Sequence, residues 1–350
     1  MSDFVKRLLI VLITTIVLMT AIIVVVSIKL KDTENRLAIY QKQLDISMML
    51  ITELSDLGNG VKAHGRLQVV DDELRDKNNE VVQLKGISTH GLTWYYEYTN
   101  ANAFKSILDN GGNIVRLAVY SQYYENDMLD MIFMAIENAI AMDMYVMVDW
   151  HVLKEQDPNV YIDKAMVFFE RISQKYANET ALIYELCNEP NGTTSWSSIK
   201  EYVNKIIPII RNSDQDALVL VGTPNFSTDL KSAINEPLDH ENVMYSYHQY
   251  TNTMSNNDFK IIKEAKAAGL CIFVSEWGFD NRGSDINADK VKAEAFLDFL
   301  DENKISWINW SLTNKQENSA ALNYNTDKLG NWQLLDLSFS GQFVFERLAK

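Results

Sequence analysis

LIYELCNEP, at residues 182–190, starts as a strand and stops on a carboxylate. Leu182, Ile183, Tyr184, Leu186 and Cys187 are apolar or aromatic, and Pro190 cannot extend a hydrogen-bonded ladder. Asn188 and Glu189 therefore stand at the C-terminal end of a strand. CIFVSEWG, at residues 271–278, repeats the design, with Ile272, Phe273 and Val274 apolar and Glu276 just before Trp277 and Gly278. Two strands that each end in a glutamate, with helix-sized patterns between and around them, predict a parallel α/β barrel with a carboxylate pair. One such glutamate would only cap a surface loop. Two, inside Asn-Glu-Pro and Glu-Trp-Gly, point to chemistry.

Working outward from these stretches, strand-like runs fall at 81–88, 113–120, 145–150, 182–187, 217–222, 243–247, 271–275 and 306–310. Helical patterns lie between them, among them 128–142, 163–176, 197–212 and 290–302. A short hairpin over Leu67 and Val70, with Asn78 and Asn79 as its turn, leads in. Pro208 is expected to kink or weaken its helix. The Gly111-Gly112 pair precedes a strand, so it reads as a helix stop rather than a phosphate-binding turn. The fold expected is therefore a (β/α)8 TIM barrel over 61–350, preceded by a transmembrane helix and a short helical stalk.

The span is expected at 8–28, after a basic tail at 1–7. Leu8 to Ile28 carries no charge, and as a helix it covers about 32 Å against a hydrocarbon core of about 30 Å. It reads as a signal anchor in the cell membrane, single-pass, with the barrel outside; cleavage would instead give a secreted protein. Residues 29–60 form the stalk, with Leu30, Leu37, Leu44 and Ile51 seven apart. Thr33 and Ser47 fill the second heptad position poorly, so the stripe supports weak self-association at most. Asp56, Gly58, Asn59 and Gly60 break the helix and mark the domain boundary.

Bulk properties narrow the partners. A chain of 350 residues with 47% hydrophobic content has ample core material, and its net charge of −15 argues against nucleic acid and anionic membrane surfaces. Cys187 and Cys271 stand at strand heights about 10 Å apart, beyond the roughly 7 Å that a disulfide spans. Both are expected as reduced core residues.

The strand ends, in order, carry His90, Arg116 with Tyr120, Asp149 with His151, Asn188 with Glu189, Asn225, His248 with Tyr250, Glu276 and Trp310. Hydrogen-bonding groups mixed with flat rings suit sugars, whose hydroxyls need partners and whose ring faces are apolar. His90, His151, His248 and Asp149 form a conceivable metal set, but no His-x-His or His-Glu-x-x-His spacing appears. No metal or cofactor is called for.

VQLKGISTHGLTWY, NIVRLAVY, VMVDWH, LIYELCNEPNG, VMYSYHQY, IFVSEWG and ISWINWSLTNKQENSAAL occur in order along the chain. Together they resemble bacterial family 5 glycoside hydrolases, in particular the endoglucanase (cellulase) branch, from about Gly65 to the C-terminus. The resemblance implies a (β/α)8 barrel that hydrolyses β-1,4-glucans with retention, with Glu189 as acid/base and Glu276 as nucleophile. It implies that Asn188 holds the sugar 2-hydroxyl, that Arg116 braces Glu276 and that Tyr250 lies near it, with His248 completing a His-x-Tyr motif. His90, Trp94, His151, Trp310, Lys315 and Glu317 correspond to sugar-binding positions. Gln249 replaces the usual aromatic between His248 and Tyr250, and the loop 251–258 offers none, so the leaving-group side is expected to differ. Mannan, xyloglucan or lichenan are alternative polymers under the same mechanism. A non-catalytic carbohydrate-binding protein would be expected to lack one glutamate, and both are present.

Overall fold

Eight short runs rich in Val, Ile, Leu and Tyr form parallel strands, and a helix follows each. The structure, a computed structural model, describes residues 58–279 and 286–350. A small antiparallel hairpin comes first, β1 (Gln68–Val70) and β2 (Glu73–Arg75). The barrel strands are β3 (Lys85–Thr89), β4 (Ile114–Tyr120), β5 (Tyr145–His151), β6 (Leu182–Glu185), β7 (Leu218–Val221), β8 (Val243–Tyr250), β9 (Ile272–Gly278) and β10 (Trp307–Leu312). They close in the order β10–β3–β4–β5–β6–β7–β8–β9. The helices that follow them are α1 (Ala101–Leu108), α2 (Leu129–Ala141), α3 (Ile162–Lys175), α4 (Trp196–Arg211), α5 (Leu230–Asn235), α6 (Asn256–Ala267), α7 (Ile286–Glu302) and α8 (Phe339–Leu348). This is the (β/α)8 barrel expected.

Local chemistry sets the helix ends. The Asn100 side chain accepts from the N–H groups of Asn102 and Ala103 at the start of α1, and Ser255 and Asp258 form a capping box on α6. Gly111, at φ +90°, turns the chain after α1 as the sequence predicts. Pro208 lies in the last turn of α4, which runs on to Arg211. The lead-in hairpin turns at Asp71 and Asp72 instead of Asn78 and Asn79, whose own turn lets Val81 bridge back to Arg75. Residues 81–84 thus precede β3 rather than belonging to it.

Within each barrel strand, alternate residues share the inner face. The N-terminal members of these columns are apolar, and Ile114, Tyr145, Met147, Ile183 and Met244 pack into one cluster with Leu67, Leu74, Val82 and Leu84 from the lead-in segment. The hairpin therefore plugs the N-terminal end of the barrel. Further along the same columns come Arg116, Asp149, Glu185, Ser246 and His248, all buried and all polar. Cys187 and Cys271 are free and buried, as expected.

One strand breaks the alternation. Ser246 pairs with Phe273 but His248 pairs with Glu276, so two steps along β8 match three along β9. The same slip appears against β10, where Trp307 pairs with Val274 and Asn309 with Trp277. A bulge of this kind re-aims side chains. Strict alternation would turn Ser275 inward and Glu276 away; with the extra residue, both reach the barrel interior.

The chain divides into two units, Met1–Met49 and Leu50–Lys350, and the first lies outside the described residues. The expected span at 8–28 falls in the first unit, and the expected stalk as far as residue 57 also lies outside the described residues. Among the described residues no helix is long and apolar enough to cross a membrane.

Gly86 packs so closely on β4 that an added Cβ would sit 1.9 Å from the Ile114 carbonyl oxygen, whereas Gly58 has open space around it. Gly86→Ala should destabilise the barrel by on the order of 3 kcal/mol. Gly58→Ala should stay within about 0.5 kcal/mol of wild type, both read by denaturant melts.

Candidate active site

Arg116 projects from β4 into the barrel with its side chain fully buried. Its Nε donates to Glu185 Oε2 at 2.5 Å, Nη1 to Glu276 Oε2 at 3.2 Å and Ser88 Oγ at 3.3 Å, and Nη2 to Asn188 Oδ1 at 2.6 Å. Nη2 also lies 3.0 Å from Asp149 Oδ2. Five acceptors thus surround a fork with five N–H groups. Arg116 touches Glu276, the carboxyl it was expected to brace; Glu185 is a partner that the sequence reading did not single out.

Glu276 also accepts from the Tyr250 hydroxyl at 2.7 Å. His248 and Tyr250 lie inside β8, which runs three residues further than expected because it stays paired with β9 as far as Gly278. Glu276 likewise lies within its strand, not beyond it. Glu189 follows β6, which stops at Glu185, two residues short of the expected end. Its Oε1 is 2.9 Å from His248 Nδ1. One carboxylate oxygen each from Glu189 and Glu276 and a ring nitrogen of His248 lie within 4.8 Å of one another.

Both carboxyls are pushed up. Burial raises Glu189 to about 7, against the pull of Arg116 and with a further push from Glu185. Burial also raises Glu276, opposed by His248 and Arg116 and reinforced by Glu189. Two carboxyls this close titrate as a pair and share a proton near neutrality. The hydrogen bonds decide where it sits. Glu276 receives two donors, one of them cationic, and so keeps the charge; Glu189 receives neither. Asp149 is raised to about 7 by burial, opposed by Arg116. His248 is lowered to about 4 by burial, so its imidazole is neutral.

The expected sugar-facing residues converge on the same end of the barrel. The His151 ring stacks on Trp310 at 5.3 Å and lies 4.1 Å from the Tyr120 ring. His151 Nδ1 is 2.6 Å from Asp149 Oδ2, and its Nε2 is 3.3 Å from Asn188 Nδ2. His90 lies against Trp310, and Lys315 Nζ lies 3.3 Å from its Nε2 and 2.7 Å from Glu317. Trp94 is half exposed and meets Tyr120 and Tyr123 edge to face. Trp94, Tyr120, Tyr123 and Lys315 help line a cavity of about 390 Å³. A second, of about 650 Å³, is lined by Glu189, Phe226, Tyr247, Gln249 and Tyr250 among others.

Phe226 was missed by the sequence reading. It follows Asn225 in a left-handed stretch, φ +57° and +60°, held by its N–H on the Pro190 carbonyl and by Ser227 Oγ on the Asn188 carbonyl. Such backbone is costly for a bulky residue and holds the ring out at the cavity mouth. Of the conceivable metal set, His151 and Asp149 touch each other, whereas His248 contacts Glu189 and Ser275 and His90 contacts Lys315. Among the described residues the cluster with metal-ligand spacing is Glu189, His248 and Glu276, the carboxyl pair itself.

A buried acid beside a charged carboxylate, with one cavity lined by Glu189 and Phe226 and another by Trp94 and Tyr120, is the equipment of a glycoside hydrolase. Residues 75–316 match the family model described as cellulase (glycosyl hydrolase family 5). Endoglucanase A of Butyrivibrio fibrisolvens is 39% identical over 302 residues, 83% of this chain and 70% of that protein. An endoglucanase of Clostridium saccharobutylicum is 38% identical over 313 residues, 85% of this chain and 69% of its own length. Among solved structures, the catalytic domain of Thermobifida fusca endoglucanase Cel5A, in complex with cellotetraose, aligns with a TM-score of 0.78 and 31% identity. That alignment covers 83% of this chain and 99% of the other. The chain belongs to glycosyl hydrolase family 5, the cellulase family.

The raised Glu189 carboxyl has a consequence for stability. The folded state keeps this proton to about pH 7, while an unfolded glutamate releases it near 4.5. The contribution is therefore full below about pH 4.5 and lost as pH rises to about 7. Glu189→Gln, neutral at every pH, should melt on the order of 5 °C above wild type at pH 8. At pH 4.5 the two melting temperatures should coincide.

Proposed function

We propose that the chain is a retaining endo-β-1,4-glucanase in which Glu189 is the acid/base and Glu276 the nucleophile. The single observation that supports it most is the spacing within 4.8 Å of two unlike carboxyls. Retaining enzymes hold the pair roughly 5–5.5 Å apart and inverting ones roughly 6.5–9.5 Å. Glu276, kept charged by Arg116 and Tyr250, attacks the anomeric carbon while Glu189 gives its proton to the departing oxygen. A glycosyl ester on Glu276 results. Glu189, now a carboxylate, takes a proton from water, which attacks the same carbon and restores Glu276 with the sugar's configuration retained.

Trp310 and His151 floor the sugar that reacts, Asn188 meets its 2-hydroxyl, and His90, Trp94, Tyr120, Lys315 and Glu317 hold sugars beyond it. Phe226 receives the leaving-group side. Two cavities, one lined by Glu189 and Phe226 and one by Trp94, Tyr120 and Lys315, favour an internal bond over a chain end. Gln249 and Phe226 make the leaving-group side the place where polymer choice is set. An activity panel over cellulose derivatives, lichenan, mannan, xylan and xyloglucan should give the highest kcat/KM on a β-1,4-glucan; a mannan or xyloglucan maximum would change the substrate and leave the mechanism.

The two glutamates separate by leaving group. With an activated aryl leaving group, Glu189→Ala should still glycosylate and then stall, and azide should release a product of retained configuration. Glu276→Ala should lose glycosylation with every substrate, and azide should give the inverted product. Arg116→Lys and Tyr250→Phe should resemble a milder Glu276 loss, because a point charge cannot replace the planar fork. Identical behaviour of both alanine variants, or an inverted wild-type product, would overturn the roles.

We also propose that residues 8–28 anchor the enzyme in the cell membrane with the barrel outside, on the strength of that uncharged run. Full-length protein should stay in the membrane fraction through salt and carbonate washes and be open to external protease. A soluble mature form beginning after Ile28 would make the segment a cleaved signal.

A further inference from the structure

The backbone that carries Glu189 is held from two sides. Its donors go to the end of β5: Asn188 N–H reaches the Trp150 carbonyl at 3.2 Å and Glu189 N–H the Val152 carbonyl at 3.1 Å. Pro190 has no N–H to add. The carbonyls go instead to the loop after β7. Phe226 N–H donates to the Pro190 carbonyl at 3.0 Å, and Ser227 Oγ donates to the Asn188 carbonyl at 2.6 Å. Two consecutive residues thus hold both carbonyls that flank Glu189 in the chain. Ser227 is fully buried. The packing there is tight, since a Cβ added to Gly222 would sit 2.8 Å from the Asn188 carbonyl oxygen and 2.9 Å from Ser227 Oγ.

The residues that make this grip have unusual backbone. Asn225, Phe226 and Ser227 are all left-handed, with φ +57°, +60° and +55°. Such a conformation is costly for any residue with a side chain, and three in a row persist only where contacts over-determine them. Thr228 closes the turn, accepting from Asn225 Nδ2 at 2.9 Å and donating to the Asn225 carbonyl at 2.6 Å. A connection from β7 to α5 needs no such backbone. What the run achieves is a placement. Phe226, half exposed, stands in the same cavity of about 650 Å³ as Glu189, while its own N–H and the next residue's hydroxyl grip the chain on either side of Glu189.

We propose that Ser227 is a positioning residue for the proton transfer, locking the backbone of Glu189 to the ring of Phe226 so that the acid meets the oxygen that leaves with the sugar on that ring. This rests on the reading of Glu189 as acid/base and of Phe226 as the leaving-group side. Ser227 acts through others: its hydroxyl is engaged by Asn188, and it does not line the cavity. A shared frame fixes a distance. The oxygen of a sugar seated on Phe226 must come within hydrogen-bond reach of the Glu189 carboxyl, and a misplacement of about 1 Å can cost on the order of a hundredfold in rate. The lock therefore matters for a leaving group that is a sugar and needs a proton. It matters little for one that needs neither.

Ser227→Ala removes the hydroxyl, and Ser227→Gly removes it while also easing the left-handed backbone. In the full-length chain, both should lose about tenfold in kcat/KM on cellotetraose and less than about twofold on a dinitrophenyl cellobioside, whose leaving group departs unaided. A residue that served only the turn would behave differently. Glycine, at ease at φ +55°, would then keep full activity, and any loss in the alanine variant would fall on both substrates alike. Phe226→Ala should also lose activity on cellotetraose. Combined with Ser227→Ala it should lose less than the product of the two single losses, because without the ring there is no seated sugar to align.

A folded Ser227→Gly enzyme with wild-type kcat/KM on cellotetraose, an equal loss on both substrates, or single losses that simply multiply overturns the proposal. Should Ser227→Ala not fold, Ser227→Gly carries the same readouts, alone and combined with Phe226→Ala. Failure of the underlying reading has its own signature, seen with no Ser227 variant present: azide that rescues Glu276→Ala with retained configuration, and not Glu189→Ala, reverses the roles of the glutamates, and the proposal falls with them.

Discussion

A single guanidinium, that of Arg116, lies in the barrel among four buried or nearly buried carboxyls: Asp149, Glu185, Glu189 and Glu276. One positive charge cannot keep four carboxylates ionised away from water, and a buried charge without a partner is too costly to persist. The cluster must therefore hold protons at neutral pH. Direct donors favour the charge on Glu276, which touches both the arginine and Tyr250; Glu185 and Asp149 also touch the arginine, but burial pushes both up. Glu189 has only a neutral imidazole, and its carboxyl rises to about 7. An acid and a charged nucleophile at one pH follow from that unequal sharing.

The barrel makes the cluster affordable by separating two tasks along one set of strands. At the N-terminal end the inner columns are apolar and the hairpin closes them off, which supplies cohesion. Toward the C-terminal end the same columns turn polar, and each polar group finds partners on neighbouring strands. The bulge in β9 is what lets two consecutive residues, Ser275 and Glu276, take part together. One faces the Glu185–His248 side and the other Arg116 and Tyr250. Without the extra residue, the strand could deliver only one of them.

Much of this was legible before the fold was known. Alternating strand and helix patterns gave the barrel, and the glutamates in Asn-Glu-Pro and Glu-Trp-Gly marked the carboxyl pair, because strand-end polar residues after apolar runs have few structural reasons to exist. Glu185 carried a signal that was passed over: a charged residue inside an otherwise apolar buried run needs a buried partner. Phe226 and Ser275 carried almost none. An aromatic after Asn225 reads as an ordinary loop residue until its left-handed backbone is seen, and a serine inside a strand reads as filler.

The sequence by itself determined the order of elements, the apolar run from residue 8 to residue 28, and the residue types that end each strand. Those depend on local periodicity and on side-chain chemistry, which are properties of short stretches. Tertiary structure alone decided that β8 continues through Tyr250, that β9 slips by one residue, and that Arg116 reaches Glu185 and Glu276 together. Register between strands is a relation between segments far apart in the chain, and a slip of one residue reverses which side chains face the interior. Which carboxyl keeps its proton is settled by the same long-range contacts, since a pKa belongs to an environment and not to a residue.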